Sequence, residues 1–116
     1  MARKPHILHV KGFNVPPEND AKFNKWYSET HIPLLMKTGE IEEATRYQRL
    51  TNDDKYPKYL TTYRIKDREA LARYQDQTSP QRRAVREEMN QTWPTPGYQG
   101  TWVVQYEEIK TWKKTK

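Results

Sequence analysis

Tyr27 and His31 lie four residues apart in the stretch Phe23–Tyr47, FNKWYSETHIPLLMKTGEIEEATRY. On a helix that spacing sets a phenol beside an imidazole. An imidazole gives or takes a proton near neutral pH without help from a cofactor. A phenol beside it can orient the ring or donate to an oxyanion. His31 and Tyr27 are therefore the candidate acid/base pair. The competing structural roles are a histidine that caps a helix break and a core tyrosine with its hydroxyl at the rim. Near a helix C-terminus the cationic form of His31 is favoured.

The chain has three histidines. His6 and His9 fall on opposite faces of a first strand, so they cannot join one site together. Whichever of them faces His31 would sharpen the case for a base, and His9 is carried as a candidate substrate contact. Otherwise each is a hydrogen-bonded sheet residue. Trp26, Tyr47, Tyr63, Trp93 and Trp102 are candidates to line an apolar pocket for an aromatic or polyketide-like ligand. The same five rings also suit a plain core. Arg46 and Arg64 are able to hold a carboxylate or enolate, and both also suit the surface.

Several chemistries are excluded or unsupported. There is no cysteine, so disulfides, zinc–thiolate sites, iron–sulfur clusters and a cysteine nucleophile are ruled out. No two histidines sit at helical i, i+4 spacing, and no metal site is expected. Haem needs one axial histidine, a place His31 could fill. Nothing else in the sequence asks for haem, and the expected cofactor is none. No dinucleotide, P-loop, nucleophile-elbow or deaminase motif is present.

A chain of 116 residues suits one domain, residues 1–116, with one core. Apolar residues make up 34% and charged residues 31%, but four Trp, eight Tyr and two Phe argue against disorder. So thin and aromatic a core is expected to be partly polar and to favour a homodimer. Net charge is +6. The excess sits at Arg3, Lys4, Lys110, Lys113, Lys114 and Lys116, and in the helical run Arg82, Arg83, Arg86. This is either solubilising surface or a footprint for nucleic acid or an anionic small molecule. No nucleic-acid motif accompanies it, so nucleic acid is the least favoured partner. With no long apolar run, a membrane is not expected, and the reading is a soluble, cytoplasmic protein.

The elements that must position these residues follow from punctuation and period. His6–Val15 is β-rich between Pro5 and Pro16-Pro17. It sets His6, Leu8 and Val10 against Ile7, His9, Lys11 and Phe13. Acidic residues 18 and 20 then open a helix carrying Phe23, Trp26, Tyr27, Thr30 and Leu34 on one stripe. Pro33 predicts a kink, or a stop and a short second turn through Met36, and Gly39 a left-handed cap. Ile41–Leu50 is a polar, edge-like strand, and Lys58–Ile65 pairs with it as a hairpin. Asp67 and Ser79 are N-caps, and Pro94 with Pro96-Gly97 ends the second helical unit. Tyr98–Ile109 is the last strand. The order is β-α-β-β-α-β, an α+β ferredoxin-like pattern with an antiparallel sheet and helices on one face. The other face needs cover, and a second copy is the simplest.

Trp26-Tyr27, His31-Ile32-Pro33, Gly39 and Arg46-Tyr47 together form a W-Y-x-x-x-H-I/L-P, glycine, R-Y series. In this the chain resembles the dimeric α+β barrel superfamily, specifically its EthD-like branch. The resemblance implies a homodimer whose sheets face each other, with a cavity between sheet and helices in each protomer. Relatives on that fold include cofactor-free oxygenases, muconolactone isomerases, polyketide cyclases, hydroxynitrile lyases and haem proteins, so the fold alone does not choose a reaction. The reading carried forward is a small cofactor-independent enzyme acting by proton transfer on an enolisable, phenolic or polyketide-like small molecule. The alternative is a non-catalytic small-ligand-binding or stress-related dimer.

Overall fold

A computed structural model describes residues 4–115. Arg3 and Lys116, two members of the basic ends, lie outside the described residues. The elements are β1 (Ile7–Asn14), α1 (Pro17–Trp26), a π-helical turn (Tyr27–His31), α2 (Ile32–Met36), β2 (Ile41–Gln48), β3 (Tyr59–Ile65), α3 (Arg68–Tyr74), α4 (Pro80–Thr92) and β4 (Gln99–Glu107). The four strands form one antiparallel sheet in the order β2-β3-β1-β4. This is the ferredoxin-like α+β arrangement. The expected strands all form, each trimmed at one or both ends.

Register decides which side chains meet the helices. His9 stands opposite Tyr63 of β3 and Gln105 of β4, and Lys11 opposite Thr61 and Val103. Ile7, His9, Lys11 and Phe13 therefore share the helix side, and β1 presents His9 rather than His6 to it. On β3 every second residue is buried: Tyr59, Thr61, Tyr63 and Ile65. The helix side holds two packed clusters. One centres on Ile7, Leu35, Ile41, Tyr63, Ile65, Tyr74 and Val85, the other on Phe23, Trp26, Tyr27, Tyr59 and Trp93. Burying a large side chain fully contributes about 1.5–3 kcal/mol. Phe23, Tyr27, Leu35, Tyr63 and Ile65, all essentially inaccessible, are therefore the main ties between helices and sheet.

Caps and turns behave as their chemistry demands. The Ala70 amide donates to Asp67 Oδ1 at 2.9 Å, and the Arg82 amide to Ser79 Oγ at 3.2 Å. Gly39 has φ +85°, the left-handed conformation that ends α2.

Pro33 does not stop the helix, although the short second segment does end at Met36 as expected. The chain widens instead into a π turn, with the Ile32 amide donating to the Tyr27 carbonyl, and continues as α2. Proline removes one backbone donor and crowds the carbonyl four residues back, and a widened turn accommodates both while the helix runs on.

The opposite sheet face carries Tyr47, Trp102 and Tyr106, all exposed. Beyond β4, Ile109 and Trp112 are exposed as well. Among the described residues, no helix is long and apolar enough to cross a membrane.

Candidate active site

The π turn brings the site together. In the widened turn consecutive residues Trp26 and Tyr27 both reach His31. The imidazole stacks on Trp26 at 4.7 Å between centroids and meets Tyr27 edge-on at 4.8 Å. Trp26 is fixed in turn by its indole Nε1, which donates to Glu88 on α4 at 2.9 Å. Such π turns often mark functional positions in helices.

From His31 a polar line runs inward across the sheet. The Tyr27 and Tyr63 hydroxyls share a hydrogen bond of 2.6 Å. Tyr63 lies 5.9 Å from the His9 ring, and His9 lies 5.5 Å from Tyr74. The Arg82 guanidinium sits 4.5 Å above the Tyr74 ring. His9 and His31 are only 3% and 4% exposed. His9 Nδ1 is 2.9 Å from the Gln105 side-chain nitrogen. With the amide so oriented Nδ1 accepts, and neutral His9 carries its proton on Nε2. That Nε2, His31 Nδ1, the Tyr74 hydroxyl, and Arg82 Nε and Nη1 are all buried without a hydrogen-bond partner. Orphaned buried polar atoms are uncommon; others occur at His6, Thr38, Arg46 and Trp93, but those of His9, His31, Tyr74 and Arg82 belong to residues linked by the ring contacts that run from His31 to Arg82.

Electrostatics fix the protonation states. Burial, reinforced by the charges of Lys11 and Arg82, pushes His31 down to about 3 and His9 down to about 4. Both are neutral at pH 7. The expectation of a cationic His31 is thus overturned. The helix does not end there, and desolvation with two nearby cations outweighs any dipole. Burial and Arg82 also bring Lys11 down to about 8. Burial raises Tyr27 to about 12 and raises Tyr63 further, so both phenols stay protonated donors. The arrangement offers a neutral imidazole lone pair, a coupled phenol pair and two cations in a space of low polarity. Among the described residues, no three His, Cys, Asp or Glu side chains are placed to hold a metal ion.

Of the residues chosen from sequence, His31, Tyr27, His9, Tyr63 and Trp26 come together. Trp93 packs behind them, edge-on to Trp26 at 5.8 Å. Tyr47 and Trp102 are not part of this group. They lie on the other sheet face, 52% and 40% exposed, beside a shallow groove with Tyr56, Pro57 and Leu60. Arg46 is engaged structurally, with Nη2 donating to Asn24 Oδ1 at 2.8 Å and Nη1 to Ser28 Oγ at 2.9 Å. Arg64 pairs with Glu42 at 3.4 Å.

Sequence reasoning missed Lys11, Arg82, Tyr74 and Gln105 as site residues. Lys11 had a signal: a charge on the strand face shared with Ile7, His9 and Phe13. So did Arg82, which stands three residues before Val85 and seven before Met89, on the buried stripe of α4.

Comparison with known proteins bears on this geometry. The family described as Domain of unknown function (DUF4286) matches residues 6–97. The chain belongs to this family. No curated protein matches the DUF4286 chain. Among solved structures it is similar to HapK from Hahella chejuensis, with TM-score 0.67 and 9% identity, covering 95% of this chain and 99% of that one. It is also similar to an EthD family protein from Bacillus halodurans C-125, with TM-score 0.61 and 18% identity, covering 90% and 99%. A dimeric protein of unknown function with a ferredoxin-like fold from Bacteroides fragilis matches with TM-score 0.58 and 15% identity, covering 89% and 96%. At these identities the likeness is one of fold, and at that level the EthD-like resemblance stands.

Proposed function

We propose that this chain is a small homodimeric enzyme of one domain that moves protons on an enolisable or phenolic small molecule, without a cofactor. The observation that carries the reading is the buried, neutral His31, whose Nδ1 has no partner and whose ring touches Tyr27. A neutral imidazole in a space of low polarity is a base waiting for an acidic C–H or O–H. The Tyr27–Tyr63 pair would donate to the oxygen on which negative charge develops. Isomerase, lyase, cyclase and cofactor-free oxygenase reactions all begin with such a step. His9 and Tyr63 would contact the substrate, and Trp26 and Trp93 would form its apolar wall. Tyr47 and Trp102 would serve instead at the sheet face, against the second copy. Their exposure and the dimeric state of a structural relative support this placement.

Deuterium exchange tests the chemistry. Acetylacetone, 1,3-cyclohexanedione and phloroglucinol in D2O would be followed by NMR with the wild-type chain, His31→Gln and Tyr27→Phe. Exchange above buffer is expected for the wild type. His31→Gln should slow it by about 10²–10⁴-fold with the fold intact, and Tyr27→Phe by less. If His31→Gln exchanges as fast as the wild type, the assignment fails.

The close stacking of His31 on Trp26 favours a second reading, in which the site binds a small ligand without turning it over. Saturable binding without exchange of any probe would select that reading.

A further inference from the structure

Two cations are built into the helix side of this sheet, and nothing in the described structure neutralises them. Lys11 projects from central β1 among buried residues. Arg82 sits on α4 above Tyr74, with Nε and Nη1 buried and unpartnered. Among the described residues, neither makes an ion pair with a carboxylate. The surface guanidinium of Arg68, by contrast, grips Glu107 through two bonds of 2.6 and 2.8 Å. Confining two like charges where water is scarce costs several kcal/mol. Such an arrangement is explained when a third party brings the negative charge.

We propose that the cluster of Lys11, Arg82 and His9 takes the anionic group of a small aromatic acid, held between the two cations with His9 Nε2–H as a third donor. The inference rests on the proton-transfer reading and names the substrate class for it. The donors fit a carboxylate: two cations, plus a neutral N–H that is 97% buried with its ring and lacks a partner. The walls fit an aromatic ring, because Tyr63 and Tyr74 flank His9 in tilted and edge-on geometry. There is also a way in. Val103 faces the helix side opposite Lys11 yet is 67% exposed, so the helices leave the β4 edge beside Lys11 uncovered.

A bound carboxylate would do more than anchor. Burial first, and then the fields of Lys11 and Arg82, hold both imidazoles neutral. An anion between those cations cancels part of that field and raises the basicity of His31 at the moment substrate is present. The base would thus be weak in the empty protein and stronger in the complex.

The test uses benzoate and salicylate, with benzamide as the neutral counterpart and inorganic phosphate as the non-aromatic anion, in low-chloride buffer at pH 7. Imidazole NMR signals and melting temperature are the readouts. Both aromatic acids should shift the His9 and His31 signals, raise their pKa and raise the melting temperature. Benzamide and phosphate should bind at least about tenfold more weakly. Arg82→Gln and Lys11→Met should each lose about tenfold or more in affinity for the acids, while the empty variants melt no lower than wild type. Arg82→Lys, which keeps the charge, should retain most of the binding and covers the case in which Arg82→Gln does not fold. Binding should also weaken as pH rises past about 8, where Lys11 loses its charge. Indifference to both acids, equal binding of benzamide or phosphate, or unaltered binding in the two charge-removing variants would overturn the proposal. Exchange of neutral acetylacetone separates the two readings. If exchange persists without anion binding, this inference alone fails. If the acids bind but no probe exchanges, only the proton-transfer reading fails.

Discussion

The helix side of the sheet holds two arginines in aromatic surroundings, and they are treated in opposite ways. Arg46 sits among Phe23, Tyr27 and Tyr59, at 5.8, 5.1 and 5.4 Å from their rings, and bonds to Asn24 and Ser28. Around it the polar groups close on one another. Tyr59 donates to Asp20 at 2.6 Å and Lys58 reaches the same oxygen at 3.1 Å. The Tyr59 hydroxyl, foremost, holds the Asp20 carboxyl below its usual range. Arg82 has one ring beneath it, another cation in its field and empty donors. One region is a clasp that joins the first helical segment to β2, with both terminal nitrogens of Arg46 bonded and only its Nε buried without a partner. The other is an unfinished socket. Where a fold leaves its buried donors unpaired, stability has been given up, and a ligand is the simplest reason.

The sharpest way to break this comparison is to remove each arginine in turn. Arg46→Ala should destabilise by about 2–4 kcal/mol, since it strips three ring faces and orphans Asn24 Oδ1. Arg82→Met should be neutral or stabilising in the empty protein. Denaturant unfolding at pH 7 measures both, and equal losses would erase the distinction between clasp and socket.

A middle-sized effect comes from acid. His9 and His31 are held far below the value of 6.5 they have in the unfolded chain. Between those limits the unfolded state binds more protons. The stability they lend is therefore complete above pH 6.5 and drains as pH falls toward about 4. By pH 5 the loss should reach up to about 2 kcal/mol per histidine. Melting temperature against pH should show this slope, and His31→Gln should flatten part of it.

The smallest effect concerns Lys11. Its pKa is lowered in the fold, so the folded chain releases that proton earlier than the unfolded one. Stability should rise modestly from about pH 8 toward 10.5, and Lys11→Met should gain roughly 1 kcal/mol at pH 7 and abolish that rise. A Lys11→Met chain that keeps the alkaline rise would assign it to another group.

Much of this architecture was legible from residues alone. The alternation in β3 placed Tyr59, Thr61, Tyr63 and Ile65 together, and Asp67 and Ser79 cap where short polar residues precede a helical stripe. The pairing of Tyr27 with His31 followed from spacing. Other features depend on tertiary context. Pro33 announces a lost hydrogen bond but does not say whether the helix kinks or widens. The charge state of His31 is set by burial and by Lys11 and Arg82, which are distant in sequence. Arg82 stood in a basic run that reads as surface until α4 is laid on the sheet. Tyr47 and Trp102 are aromatic like Tyr63, and only strand register reveals that they look the other way.

A π turn contains one residue more than a regular helix would spend on the same bond. Deleting Ser28 would let residues 26 to 32 close into ordinary α bonds. The flanking helical turns would keep nearly their present phase, because the widened turn already absorbs the extra residue. Trp26 would then stand four residues before the imidazole and Tyr27 three, so both rings would stay on its side of the helix. Circular dichroism would see little difference, and the ring-current shifts of His31 in an NMR spectrum would persist with altered size. A residue could thus be lost from that turn while the imidazole keeps both of its aromatic neighbours.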